Sequence, residues 1–282
     1  MEKIMKKKIT LQSVLLTVFV LMAALVALFP VYFLIVASLQ PTQYMFSRGL
    51  SLVLGDNATL ANFRILAEYR DGLYFSWYKN SIMITVLQSV LALFFSSMTG
   101  YALGVYRFRG RGLIFTLMLL VMMIPLEIIM LPLYKLCIGM KIINTTAGVI
   151  LPFILSPICI FFFQQYVSGL GDSFMEAARI DGCTEFGIYF RIMVPLMKPA
   201  FGAMTILMAM NSWNGFLWPL IVLRTNEKLT LPIGLASLVS ANAQKMEVLL
   251  PGAVLSIVPI VILFLFNQKK FINGLTSGGV KA

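Results

Sequence analysis

Long apolar runs alternate with short polar stretches rich in lysine and arginine along the whole chain. A bilayer core about 30 Å thick takes roughly 20 apolar residues as a helix, and six runs meet that need. They cover residues 14–38, 82–105, 113–136, 147–167, 200–222 and 248–266. The first is too long for the apolar part of a signal peptide, despite the basic start MEKIMKKK. The pattern predicts an all-α, polytopic membrane protein with six transmembrane helices. Residues 1–12 form an N-terminal segment, 13–267 the transmembrane domain and 268–282 a tail.

Charge orients the spans. Lys3, Lys6, Lys7, Lys8, Arg107, Arg109, Arg111, Arg179, Arg191, Lys198, Lys269, Lys270 and Lys281 all fall on one side of a six-span map. That is thirteen of the 22 basic residues, in short segments, so this side is cytoplasmic and holds both termini. The other side balances its basic residues with Asp56, Glu68, Asp71, Glu127, Glu227 and Glu247. It includes a long, mixed loop over residues 39–79, with an Asn57-Ala58-Thr59 sequon.

Composition supports this and narrows the chemistry. The chain is 60% hydrophobic and 12% charged, with a mean hydropathy of +0.91; a soluble domain carries about 25% charged residues. The net charge of +11 reads as cytoplasmic lysine and arginine rather than as a nucleic-acid surface. There is no histidine, which removes His-based triads, His metal sites and the usual pH switch. Cys137, Cys159 and Cys183 are too scattered on the map to pair and read as small, reduced apolar fillers. No phosphate-binding GxxxxGK[ST] loop occurs, so the chain is not expected to hydrolyse ATP.

One stretch breaks the apolar pattern. Residues 169–199 are too polar to span and too patterned for a plain linker. Ser173 with Glu176 fits the S-x-x-E capping box that opens a helix. Met175, Ala177, Ala178 and Ile180 favour one or two turns, which Asp181-Gly182 interrupts. From a cap at Thr184, a second helix is predicted through Phe186, Tyr189, Phe190 and Met193, with Pro195 and Pro199 marking its end. On spacing alone two readings stand. Glu176 caps its own helix in an amphipathic surface element, or two braced helices form a docking element that moves rigidly with a soluble partner.

The series Glu176-Ala177-Ala178, Asp181-Gly182, Pro195 and Pro199 resembles the EAA loop of ABC importer permeases. Cys183 stands where that family usually has Ala, and Glu185 where it often has Pro. The segments SLQPTQYMF, YKNSIMIT, YALGVYRFRGRG, MIPLEIIMLPLYKL, INTTAGVILPFI, SWNGFLWPL and KKFINGLTSGGVKA follow in the family's order. Together they resemble the maltose-type carbohydrate permeases, specifically the subunit with a short C-terminal tail. The resemblance implies a type I ABC importer permease fold in a bacterial inner membrane, both termini cytoplasmic. It implies a homologous second permease, two ATP-binding subunits, an extracellular or periplasmic solute-binding protein, a carbohydrate substrate and a surround of membrane lipid. ATP and Mg belong to the partner ATPase, and no cofactor is expected in this chain.

For the loop, the resemblance implies that Glu176 meets the ATPase beside its helix N-terminus. Ala177 and Ala178 leave room for close docking, Gly182 takes a positive φ, Asp181 bonds within the turn and Pro195 closes the element. For the solute path, Asn211, Trp213, Asn214 and Trp218 lie in or beside the fifth predicted span. Aromatic faces with amides suit a sugar, yet tryptophans in spans also serve as interfacial belts or helix packing. Glu127 lies deep in the third predicted span, where a charge costs at least about 2.5 kcal/mol. Lining the path and making a polar interhelical bond both suit it. The alternatives are an importer for glycerol phosphate or another polyol, or an ATP-independent secondary transporter. The latter would want paired intramembrane charges, and only Glu127 is plainly buried on this map.

Overall fold

The computed structural model describes residues 11–41, 53–54, 57–171, 173–240 and 243–279. It is helical apart from a hairpin pairing Val239–Ser240 with Ala243–Gln244. The chain forms two compact units, residues 1–71 with 238–255, and 72–237 with 256–282. Most of SLQPTQYMF lies outside the described residues.

In the first unit, α1 (Leu11–Ser38) is apolar on every side and exposed along most of its length, as a lipid-facing helix is. Its C-terminal end is buried against α2 (Ala61–Glu68). Asn62, 3% exposed, donates its amide to Ser38 O at 2.9 Å and Gln40 O at 2.8 Å. The last carbonyls of a helix have no partner within it, so a buried asparagine is favourable there. The ammonium of Lys245 sits 4.9 Å over the Tyr69 ring.

The second unit is built on α3 (Leu73–Val105), which begins well before the span predicted from residue 82. Its first turns are held by a later loop: Trp77 Nε1 donates to Asn226 O at 2.7 Å. Asn80 Nδ2 donates to Glu227 O and Leu229 O, and Ser81 Oγ accepts from Leu231 N at 2.7 Å. The third predicted span is two helices, α4 (Arg111–Met122) and α5 (Leu126–Gly139), bent by 105°. Pro125 causes the break, since it has no N–H to donate and keeps the preceding residue out of the helical region.

The fourth predicted span is α6 (Thr146–Phe153) and α7 (Pro157–Ser168), bent by 40° where Pro157 follows Ser156. Then come α8 (Ser173–Ile180), α9 (Glu185–Leu196) and α10 (Lys198–Trp213). The fifth predicted span, 200–222, is not one helix: α10 stops at Trp213 and α11 (Leu217–Val222) follows the gap at residues 214–216. After α12 (Leu231–Ser237) the last helix, α13 (Met246–Gly279), runs past the sixth predicted span and through most of residues 268–282. Among the described residues three helices are long and apolar enough to cross a bilayer, and up to six crossings result if each bent pair counts as one.

The centre of the second unit is the crossing of α3 with α7, with α10 packed alongside. Ser96, Gly100 and Gly104 repeat at four-residue spacing on α3, the small-residue pattern that lets membrane helices approach closely. A Cβ on Gly100 would lie 2.7 Å from both Ile160 O and Phe163 Cβ. Ser96 Oγ accepts from Ser156 N at 3.1 Å, so the same stripe meets an amide left over at the start of α7.

Candidate functional site

Two surfaces of the second unit gather the residues singled out above. The first is α8, its turn and α9. Helix α8 has Glu176 exposed in its first turn and ends on Gly182, at φ +76°, as expected of the D-G pair. Cys183 N donates to Ala178 O at 3.0 Å and Gly182 N to Arg179 O at 3.1 Å. This is the paired closure of a left-handed glycine cap. The residue before Ser173 lies outside the described residues, and Ser173 itself begins the helix. Asp181 is exposed and its backbone N–H donates to Ala177 O. Cys183 is exposed as well, unlike the filler expected of it, whereas Cys137 and Cys159 are buried.

Thr184 caps α9 as predicted, accepting from Gly187 N at 3.2 Å. Within α9, residues Ile188–Met193 form a π segment. It widens the turn just before Pro195, whose ring would otherwise press on the Arg191 carbonyl. Pro195 therefore lies inside α9 and does not end it. The chain turns by 77° at Met197, and Pro199 opens α10, in the first turn where a missing N–H costs little.

The element is seated, not draped. Met175, Ala178, Ile188, Tyr189 and Met193 are buried in one cluster with Tyr101, Phe163 and Met197. Full burial of a methionine, isoleucine or phenylalanine side chain contributes about 1.5–3 kcal/mol. Ala178 thus faces inward, while Ala177, Glu176, Phe174 and Ile180 face out, Ile180 87% exposed. Glu185 joins the parts. Its carboxylate accepts from Arg179 Nε at 2.8 Å and from Tyr106 Oη at 2.8 Å. Arg179 and Glu185 stand six residues apart across the turn, and opposite charges so placed were a readable signal only once the glycine cap is known.

The second surface is a cleft of about 470 Å³ lined by Gln88, Leu126, Phe153, Asn211, Ser212, Asn214, Trp218 and neighbours. Asn211, Asn214 and Trp218 come together here, because the gap after α10 turns α11 across the cleft wall. Trp218 is held by packing: Nε1 donates to Gly148 O at 3.1 Å and the ring meets Phe153 edge-on at 6.0 Å. Trp213 points elsewhere, buried edge-on against Tyr78 at 5.8 Å. Glu127 is exposed, one residue beyond the cleft-lining Leu126, and is not itself among the lining residues. Gln88 was missed by the sequence reading, although a lone amide in the run ITVLQSVLALFF is a signal; Ser212 Oγ bonds its Oε1 at 3.0 Å.

Residues 96–269 match the family of binding-protein-dependent transport system inner membrane components. This range takes in the first surface and, apart from Ile84 and Gln88, the cleft. The chain belongs to that family. It is therefore a multi-pass membrane subunit of an ABC importer, a transport component and not an enzyme, working with other ABC components and a binding protein. The permease is 52% identical over 94% of its length to the arabinooligosaccharides transport system permease protein AraQ of Bacillus subtilis, covering 95% of that protein. It is 31% identical to the lactose transport system permease protein LacG of Rhizobium radiobacter, over 92% of this chain and 93% of that one. A crystal structure of a bacterial ABC transporter that imports the acidic polysaccharide alginate holds a chain with the same fold. That match has a TM-score of 0.81 at 25% identity and covers 92% of this permease and 95% of that chain.

Proposed function

We propose that this permease forms, with a homologous second permease, the membrane pathway of an ATP-driven importer for a neutral oligosaccharide, with arabino-oligosaccharides the first candidates. The observation that carries the reading is the likeness to AraQ over nearly the whole of both chains. The cleft supports it chemically: amides and a hydroxyl from Gln88, Asn211, Asn214 and Ser212 stand beside aromatic and aliphatic groups, and among the described residues no lysine, arginine, aspartate or glutamate lines it. Sugar hydroxyls suit neutral donors and acceptors, whereas a phosphate or uronate calls for arginine or lysine. This disfavours the glycerol phosphate alternative. Trp218 shapes the wall, and Trp213 braces α10 without meeting solute.

In this reading the chain crosses the membrane six times, with both termini and residues 169–199 in the cytoplasm. Helix α8 docks on one of two ATP-binding subunits, presenting Glu176 and Ala177 with Phe174 and Ile180, while Ala178, Asp181, Gly182 and Pro195 hold its shape. ATP and Mg are bound by that partner. Closure of the ATPases carries α8 with them, and the seated cluster passes the motion to α3 and α7. The pathway then alternates between inward and outward access because ATP and the loaded binding protein favour different states. Glu127, near the cleft, faces water or the second permease in place of lipid.

The test is purification of the complex from membranes with wild-type permease and with Glu176→Lys. The wild type is expected to bring down a second permease and an ATPase, and the variant to lose the ATPase. If the wild type brings none, or the variant keeps a full share, the docking assignment fails.

A further inference from the structure

The Glu185 carboxylate lies where three segments meet. Its Oε1 takes the Arg179 Nε hydrogen at 2.8 Å, and its Oε2 takes the Tyr106 hydroxyl at 2.8 Å with Arg179 Nη2 at 3.3 Å. Arg179 is in the last turn of α8, Glu185 is the first residue of α9 and Tyr106 is the residue on which α3 ends. The backbone between α8 and α9 turns on Gly182, around which a Cβ would find nothing within 4 Å. No packing at that glycine therefore fixes the angle between the two helices.

Tyr106 is itself held. Its backbone N–H donates to Ala102 O at 3.1 Å, and its ring meets Tyr101 edge-on at 5.7 Å. Tyr101 in turn packs on Tyr189 at 5.2 Å, and Tyr189 Oη lies 2.7 Å from Ser97 Oγ on α3. A column thus runs from α3 through Tyr189, Tyr101 and Tyr106 to Glu185 and Arg179. Apolar burial under α8 holds it down but is non-directional; the bonds at Glu185 are directional and set where α8 can go.

We propose that Glu185 is a positioning residue for coupling, tying α8 to α9 and to the end of α3 so that the three move as one. The proposal rests on the reading of α8 as the ATPase-docking helix. Arg179 and Glu185 are about half exposed, and exposed ion pairs add little stability. The consequence therefore lies in transmission: without the tie, α8 follows the ATPase while α3 lags.

The experiment uses the whole complex in liposomes with its ATPase and binding protein, an arabino-oligosaccharide as probe, and uptake per ATP hydrolysed as readout. Glu185→Gln, Tyr106→Phe and the double variant are compared. Glu185→Gln is expected to keep its ATPase on purification and to lower uptake per ATP at least about 3-fold. Tyr106→Phe should lower it too, and the double variant should fall no further than the worse single one, since both cut the same path. An unchanged ratio in Glu185→Gln overturns the proposal. Additive losses overturn it as well, because they would mean two separate structural defects. Loss of the ATPase from Glu185→Gln also overturns it, by making Glu185 a docking contact. Glu176→Lys run alongside reports separately on the docking helix: if that variant keeps its ATPase, the underlying reading fails and not the tie.

Discussion

Gly182 holds φ +76° with open space around it, so a substitution there strains the backbone without any clash. Gly182→Val is expected to cost about 1–2 kcal/mol, the penalty of a left-handed conformation for a residue with Cβ, read as a lower melting temperature of the purified complex. Gly182→Asn should cost less, because asparagine visits that region readily. At Glu185, the Arg179 guanidinium first and the Tyr106 hydroxyl second hold the carboxyl below its usual range. The group is ionised in the folded chain down to lower pH than when unfolded, so the tie is present above the ordinary carboxylate range and is lost as pH falls through the lowered value. Uptake per ATP should not vary with the titration of this group at neutral pH, where the tie is fully present, and should fall only in acid below the ordinary carboxylate range. Glu185→Gln should remove that acid limb. Tyr101 also faces the pair and does not ionise in this window. The glycine turn was legible because a D-G pair has few other uses, but the inward turn of Ala178 was not: two adjacent alanines look alike until a neighbour covers one.

At the scale of elements, prolines set what the apolar pattern hid. Window hydrophobicity gives residues 113–136 and 200–222 as single spans, yet Pro125 bends the first by 105°, and the Asn-Gly-Phe gap divides the second. Apolar content reports whether a segment tolerates lipid, and says nothing of whether its hydrogen bonds run unbroken. The crossing of α3 and α7 was likewise open to reading, in Ser96, Gly100 and Gly104, although which helix meets them depends on the fold. Gly100→Leu is expected to drive a side chain into the Ile160 carbonyl and Phe163, and overpacking of this kind costs about 1–3 kcal/mol or more. Membrane yield and thermal stability should fall together. Gly112→Ala, where an added Cβ meets nothing within 4 Å, should leave both unchanged.

For the whole molecule, the proposed solute path rests on the neutral groups that line the cleft, Gln88, Asn211, Ser212 and Asn214. A neutral amide lining predicts that Gln88→Ala or Asn211→Ala lowers uptake about 3–10-fold, the worth of one or two neutral hydrogen bonds, with the ATPase still bound. Trp213→Phe, a packing change on the other side of α10, should leave substrate preference unaltered. In competition uptake, neutral oligosaccharides should displace the probe, and glycerol phosphate or a uronate oligomer should not. Displacement by the anions at equal concentration would remove the argument from the cleft.

The sequence by itself determined the environment, the run of helices and the loop that interrupts them. Each of these follows from local composition: apolar length for lipid, and glycine and proline for the turns. It also carried the family, because short motifs at fixed order need no fold to be read. Only the tertiary structure decided that Glu185 joins α8 to α3, that Gln88 stands across from Asn211 and Asn214, and that the two tryptophans are buried supports. Those facts depend on segments far apart in the chain, Tyr106 with Glu185 and Gln88 with Ser212. No local pattern encodes a partner that arrives from 79 or 124 residues away, since its position is fixed by packing around the α3–α7 crossing.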